Sequence, residues 1–153
     1  SLPLIESIMP SNNEHIERVV QSILARGKKR IAMLGLSFKS GTDDLRESPQ
    51  VLLIKKLLGE GYQARIWDEN VYLGRLIGSN RQFIEDNIPH IGSLLTNDLE
   101  QVVSESEIIL IGTKVDRSKL EPLLRPTHIV IDLVSLQKQD RVRHGGAYEG
   151  ICW

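Results

Sequence analysis

The stretch Gly35-Leu36-Ser37-Phe38-Lys39-Ser40-Gly41-Thr42-Asp43-Asp44-Leu45-Arg46-Glu47-Ser48-Pro49 decides how the rest of the chain reads. An apolar run, Ile31-Ala32-Met33-Leu34, precedes it, and a helical pattern from Val51 to Leu58 follows. It is therefore a strand-to-helix loop. Connections of this type usually need only about two to six residues. In open α/β sheets the ligand sits beyond the carboxyl ends of the strands, where such loops lie. The extra length here carries two isolated cations, Lys39 and Arg46, and the adjacent carboxylates Asp43 and Asp44. Lys point charges, Arg forks and helix N-termini all favour phosphate-like anions. The helix opening at Pro49 supplies the third of these elements. The loop reads as an anion site, with Asp43 and Asp44 either orienting the two cations or capping the loop.

Outward from the loop, the pattern alternates. Ile16, Val19, Val20, Ile23 and Leu24 place one apolar stripe on a helix from about 12 to 26, with Ser11 as N-cap, Glu14 as capping-box partner and Gly27 as the stop. Strands are expected over 30–35, 63–67, 107–111 and 128–133. Helices are expected over 49–58, with Ser48 as N-cap and Pro49 at the first position, over 71–77, from Asp98 to Val103, and over 120–124. Residues 81–85 read as one helical turn or two, stopped by Pro89, and the tail from Gln137 reads as polar and irregular. The strands near 108 and 129 are apolar throughout, as strands covered on both faces are. Alternation plus continuously apolar strands implies an α/β fold: a Rossmann-like, doubly wound parallel sheet flanked by helices, preceded by a leading helix.

Bulk composition narrows the function classes. The 153 residues suit one domain, with 41% hydrophobic and 25% charged residues. A net charge of −1 argues against a broad nucleic-acid surface. No apolar run approaches the ~20 residues needed to span a bilayer, and no secretory signal is visible, so no membrane partner and a cytoplasmic location are expected. The chain opens Ser1-Leu2-Pro3 without an initiator Met, as a processed product or an excised piece would.

The standard nucleotide motifs fail. Gly35 and Gly41 stand five residues apart, which is not G-x-G-x-x-G, and no Gly-Lys-Ser/Thr follows. Asp68 stands where a ribose-binding carboxylate would end the second strand, but without the glycine turn it reads rather as part of a loop and N-cap cluster, Asp68-Glu69-Asn70. His15, His90, His128 and His144 show no metal-ligand spacing, and His128, opening a strand, reads as structural. Cys152, the single cysteine, lies one residue from the end, a poor place for a catalytic thiolate.

The 35–49 loop resembles the signature that opens the C-terminal domain of the UDP-glucose/GDP-mannose dehydrogenase family. Ser11-Asn12-Asn13 resembles the start of the helix that ends the family's central dimerisation region. The stretch from Asn87 to Leu95 and the terminal Glu149-Gly150-Ile151-Cys152-Trp153 look like the GDP-mannose 6-dehydrogenase branch, the enzymes of alginate-type polysaccharide synthesis. The resemblance implies residues 1–27 as the end of the central helical region and 28–153 as the C-terminal sugar-nucleotide-binding domain. It implies a partner segment outside this chain: an N-terminal NAD-binding domain and a catalytic Cys in a Gly-Gly-Ser-Cys-type motif. The family oxidises a sugar C6 alcohol to a carboxylate in two NAD-dependent steps, so the substrate is a nucleotide sugar, the cofactor NAD and the full-length enzyme a homodimer. The chain alone would then be inactive, with no catalytic residue of its own. By motif position, Lys39 matches the lysine that contacts the sugar nucleotide and Arg46 the arginine that reaches NAD; Phe38 sits where the family's loop lines the nucleotide pocket. The alternatives are the UDP-glucose branch, a non-catalytic nucleotide-binding module, or a structural domain supporting dimerisation through the leading helix.

Overall fold

A computed structural model describes residues 3–37, 44–71, 76–88 and 90–151, with the backbone alone for 3–12 and 138. Phe38 and Lys39 lie outside the described residues, as do Asp43 and Cys152. Five strands form one parallel sheet: β1 (Arg30–Leu34), β2 (Gln63–Trp67), β3 (Ile108–Ile111), β4 (Ile129–Asp132) and β5 (Ala147–Gly150), in the order β2-β1-β3-β4-β5. Side chains alternate across a strand, and here both faces are apolar. Ile31, Met33, Ile108, Leu110 and Ile131 enter one core with helices α1 (Pro3–Leu24), α2 (Pro49–Gly59) and α3 (Gly78–Asn87). Ala32, Leu34, Ile109, Ile111 and Val130 enter a second core, with Val102 and Val103 of α5 (Leu99–Ser104) and Leu120 of α6 (Arg117–Leu120). A short helix, α4 (Ile91–Leu94), joins α3 to α5. The expected doubly wound α/β architecture is present. The order of strands reverses between β1 and β3, the place where such sheets open a crevice.

Several local expectations are corrected. Ser11 does not cap a helix, because α1 begins at Pro3 and runs through Pro10. Leu4, Ile5 and Ile8 already carry helical spacing upstream, and that pattern outweighs a capping signal three residues long. No helix covers Val71, Leu76 or Ile77; α3 starts only at Gly78 and runs to Asn87, longer than the one or two turns read at 81–85. At the start of that stretch the Asp68 carboxylate accepts the Asn70 amide at 2.8 Å, a turn that competes with helix initiation. The helix placed at 120–124 is instead α6, capped earlier by Asp116, whose side chain accepts from Ser118 N at 2.9 Å, followed by a 3₁₀ turn from Glu121 to Leu123. The polar tail holds β5, an edge strand paired with β4. The expected Asp98 cap is observed, with Gln101 N donating to it at 3.0 Å. Ser48 occupies the N-cap position before Pro49, but its side chain does not cap the helix.

Helix α1 is held to this domain. Ile16, Val19, Val20 and Ile23 are buried in the first core, and Tyr62 Oη donates to the Ile23 carbonyl at 3.3 Å. Lys56 pairs with Glu17, and Arg26 pairs with Glu149 of β5. No helix among the described residues is long and apolar enough to cross a membrane.

Candidate functional site

The carboxyl ends of β1 and β3 meet at two glycines. Gly35 has φ +97°, and a Cβ there would lie 2.0 Å from Thr113 Oγ1. A Cβ on Gly112 would lie 2.3 Å from the Gly35 carbonyl oxygen. Only glycine lets two backbones pass this closely. Gly112 N and Thr113 N both donate to the Leu34 carbonyl, at 2.8 and 3.1 Å. Helix α2 is fastened to the same point: Ser48 Oγ donates to the Leu36 carbonyl, and Gln50 Nε2 donates to the Gly112 carbonyl at 2.6 Å. The root of the long loop is thus rigidly placed at the switch point, and its polar ties are buried.

Asp68 completes that root. It is 6% exposed, and its Oδ2 accepts from Leu36 N at 2.7 Å and Ser37 N at 3.3 Å, while Oδ1 accepts from Asn70 N. A carboxylate committed to three backbone amides is not available to ribose hydroxyls, so the loop-and-cap reading of Asp68 holds. Ser37, 1% exposed, is different: its Oγ has no hydrogen-bond partner among the described residues. Orphaned buried polar atoms are few in native folds and mark places where the fold is not self-sufficient.

Beyond β3 and β4 lies a cleft of about 560 Å³, lined by Gly112, Thr113, Lys114, Ser135, Leu136 and Gln137 among others. That volume is within the usual range for small-ligand pockets. Its β4 wall is shaped by Asp132, fully buried, whose carboxylate accepts from Val134 N at 2.9 Å, Leu136 N at 2.8 Å and Tyr148 Oη at 2.7 Å. Between those two amides Ser135 adopts φ +53°, uncommon for a residue with a side chain. Lys114 Nζ stands 3.2 Å from Asp140 Oδ2 on the rim. None of these cleft residues was a sequence candidate. The available signal was the pairing of Gly112-Thr113-Lys114 with Leu133-Val134-Ser135, each just after an apolar strand.

Arg46 is the one sequence-predicted site residue within the described residues. Its guanidinium is largely exposed and grips Asp44 with two prongs, Nε to Oδ1 and Nη2 to Oδ2, both 3.0 Å. That hydrogen bond and the Asp44 charge raise the Arg46 pKa above its ordinary value. Asp44 thus orients Arg46, as one of the two readings expected. The fork that holds a carboxylate in this way also fits a phosphate. His128 is structural, as expected: it is buried, and its Nδ1 accepts from Arg125 N at 2.9 Å. Among the described residues no three His, Cys, Asp or Glu side chains converge on a metal position.

A family model described as the UDP-glucose/GDP-mannose dehydrogenase family, UDP binding domain, matches residues 32–138. GDP-mannose 6-dehydrogenase of Pseudomonas putida is 43% identical over 152 residues, covering 99% of this chain and 34% of the relative. The enzyme of the same name from Azotobacter vinelandii is 44% identical with the same coverage. A crystal structure of a ternary complex of GDP-mannose dehydrogenase from Pseudomonas aeruginosa superposes with a TM-score of 0.77 at 37% identity, covering all of this chain and 35% of that one. The chain therefore spans about a third of the length of the curated relatives it matches.

Proposed function

Since the chain belongs to the UDP-glucose/GDP-mannose dehydrogenase family, we propose that it forms the C-terminal, sugar-nucleotide-binding third of an NAD-dependent GDP-mannose 6-dehydrogenase that yields GDP-mannuronate. The observation that carries this reading is the likeness to GDP-mannose 6-dehydrogenases over 99% of the chain, joined to a charged loop fastened at the sheet's switch point. On this reading residues 1–27 end the central helical region and 28–153 form the substrate domain of a cytoplasmic homodimer.

The roles follow from charge and position. Lys39 meets the sugar nucleotide, Phe38 lines its pocket, and the cleft past β3 and β4 receives part of the same ligand. Arg46 reaches NAD from outside: its exposed, pre-oriented fork exchanges Asp44 for a phosphate of the cofactor. This chain's own sheet is not the main NAD site. It lacks the glycine turn, and Asp68 is consumed by three amides. The residues here thus fit a supporting contact to NAD, which supplies hydride acceptance when bound. The domain contributes charge and orientation. No Gly-Gly-Ser-Cys segment occurs among the 153 residues, so the chain alone is expected to be inactive as a dehydrogenase.

The test is NADH formation by an intact subunit that contains this chain. Turnover should be supported by GDP-mannose in preference to UDP-glucose. Lys39→Ala should raise the KM for GDP-mannose, and Arg46→Ala the KM for NAD, each about tenfold, as loss of one charge-assisted bond implies. Preference for UDP-glucose would refute the substrate. Unchanged kinetics in both variants would refute the residue roles.

A further inference from the structure

The two ends of the 38–43 loop are held by different residues. At the leading end, Leu36 N and Ser37 N both donate to Asp68 Oδ2, immediately before Phe38 and Lys39 in the chain. At the trailing end, Leu45 N donates to Asn80 Oδ1 at 2.7 Å, and Asp44 grips Arg46. Asp68 is buried at the end of β2, an element that contributes no other side-chain hydrogen bond to this root. A buried carboxylate is retained at a desolvation penalty of several kcal/mol unless its lone pairs are well used, and here all the printed donors are backbone amides.

We infer that Asp68 is a positioning residue for sugar-nucleotide binding: its carboxylate fixes the leading end of the loop and so the place from which Lys39 acts. This rests on the function proposed above. Lys39 follows Ser37 by two residues, so a loosened Leu36–Ser37 segment displaces it directly. Misplacement of a binding group by about 1 Å can cost a hundredfold in rate or affinity. Arg46 belongs to the other end, with its own supports, so the effect is selective. Asp68 governs the sugar nucleotide and leaves NAD alone.

The intact subunit tests this with four variants. Asp68→Asn keeps the shape, removes the charge and presents an amide donor to one set of backbone donors. The expected result is a roughly tenfold rise in the KM for GDP-mannose, with the KM for NAD and kcat within about twofold. Glu107→Gln is the matched structural control. Its Oε2 likewise accepts two backbone amides, Lys29 N at 3.2 Å and Arg30 N at 3.1 Å, at the opposite end of β1. It should lower Tm without moving either KM. Lys39→Ala separates the two levels of the argument. If it is silent, the proposed function of the loop fails and the inference with it. If it raises the KM for GDP-mannose while Asp68→Asn does not, or if Asp68→Asn raises both KM values equally, the inference alone is overturned. Should Asp68→Asn not fold, Ser48→Ala reads the same end without removing a buried charge, since it frees the Leu36 carbonyl. A selective rise in the KM for GDP-mannose supports the inference, and no change overturns it.

Discussion

Replacing Gly35 by Ala should be among the most damaging single-methyl changes this fold can suffer, and the structure says by how much. Two independent effects add. The backbone at φ +97° is a conformation that a residue with a side chain occupies at a cost of about 1–3 kcal/mol. The new methyl would also sit 2.0 Å from Thr113 Oγ1 and 2.7 Å from both Thr113 Cβ and Cγ2. Because Cβ itself is one of the obstructing atoms, rotating the threonine cannot clear the overlap. Overpacking of this kind costs about 1–3 kcal/mol. The sum, about 4 kcal/mol, is a large part of the 5–15 kcal/mol that holds a typical domain together. Urea denaturation of the 153-residue chain should show a lower midpoint with an unchanged slope. A double-mutant cycle with Thr113→Gly divides the two effects, because shortening Thr113 removes the collision but not the backbone strain. The coupling should be about 1–3 kcal/mol, with about 1–3 kcal/mol left uncoupled. A Gly35→Ala loss under about 1 kcal/mol, or no coupling to position 113, would refute the close passage of the β1 and β3 ends on which the site is built.

Two further perturbations probe the same architecture. Burial, aided by the Arg125 charge, pushes the His128 imidazole below its ordinary pKa, so folding favours the neutral ring. The stability this contributes is complete above the unfolded value of about 6.5 and is lost as pH falls toward the folded value. The urea midpoint should therefore drop below about pH 6.5, and a His128→Asn variant, weaker at neutral pH, should show a flatter profile; parallel profiles would refute the role. Ser37→Ala removes the orphaned buried hydroxyl and should stabilise the ligand-free chain by about 1 kcal/mol. A lower midpoint in urea would mean that the hydroxyl is paired in solution.

Where sequence was enough, the reason is that the signal was local and unopposed. The continuous apolar runs at 31–34, 108–111 and 129–131 leave no solvated face, and each became a strand buried on both sides. Asp98 four residues before Val102 and Pro49 after Ser48 mark helix starts through their own chemistry, and both starts are present. What was not legible depended on partners far along the chain. Ala147-Tyr148-Glu149-Gly150 has no strand pattern of its own; it is a strand because β4 offers a free edge and because Asp132 and Arg26 hold Tyr148 and Glu149. Val71 and Leu76 are apolar and buried, but they bury as packed irregular chain, a distinction that spacing cannot make. The site divides in the same way. The loop's length and charge were visible in sequence, whereas the cleft is formed by residues on two connections more than twenty positions apart, Thr113 and Ser135 among them.

The distribution of satisfied and unsatisfied groups argues that the ligand belongs at the loop root and not elsewhere on the sheet. At the amino end, Glu107 is used by two amides and its carboxyl is held below the usual carboxylate range, chiefly by the Arg30 amide. Beneath β4, Asp132 takes two amides and the Tyr148 hydroxyl, and His128 finds Arg125 N. These groups complete the fold and leave nothing over for chemistry. The leading end of the long loop is built otherwise. Asp68 spends a buried charge on two successive amides there, two glycines give up side chains so that strand ends can touch, and Ser37 Oγ still lacks a partner among the described residues. A loop that merely crossed from strand to helix would need none of this, because a turn of a few residues does the same work. Rigid support beneath, an unmet hydroxyl and cations above is the arrangement that an anionic ligand completes, and it is why the root, rather than the cations alone, should set the affinity.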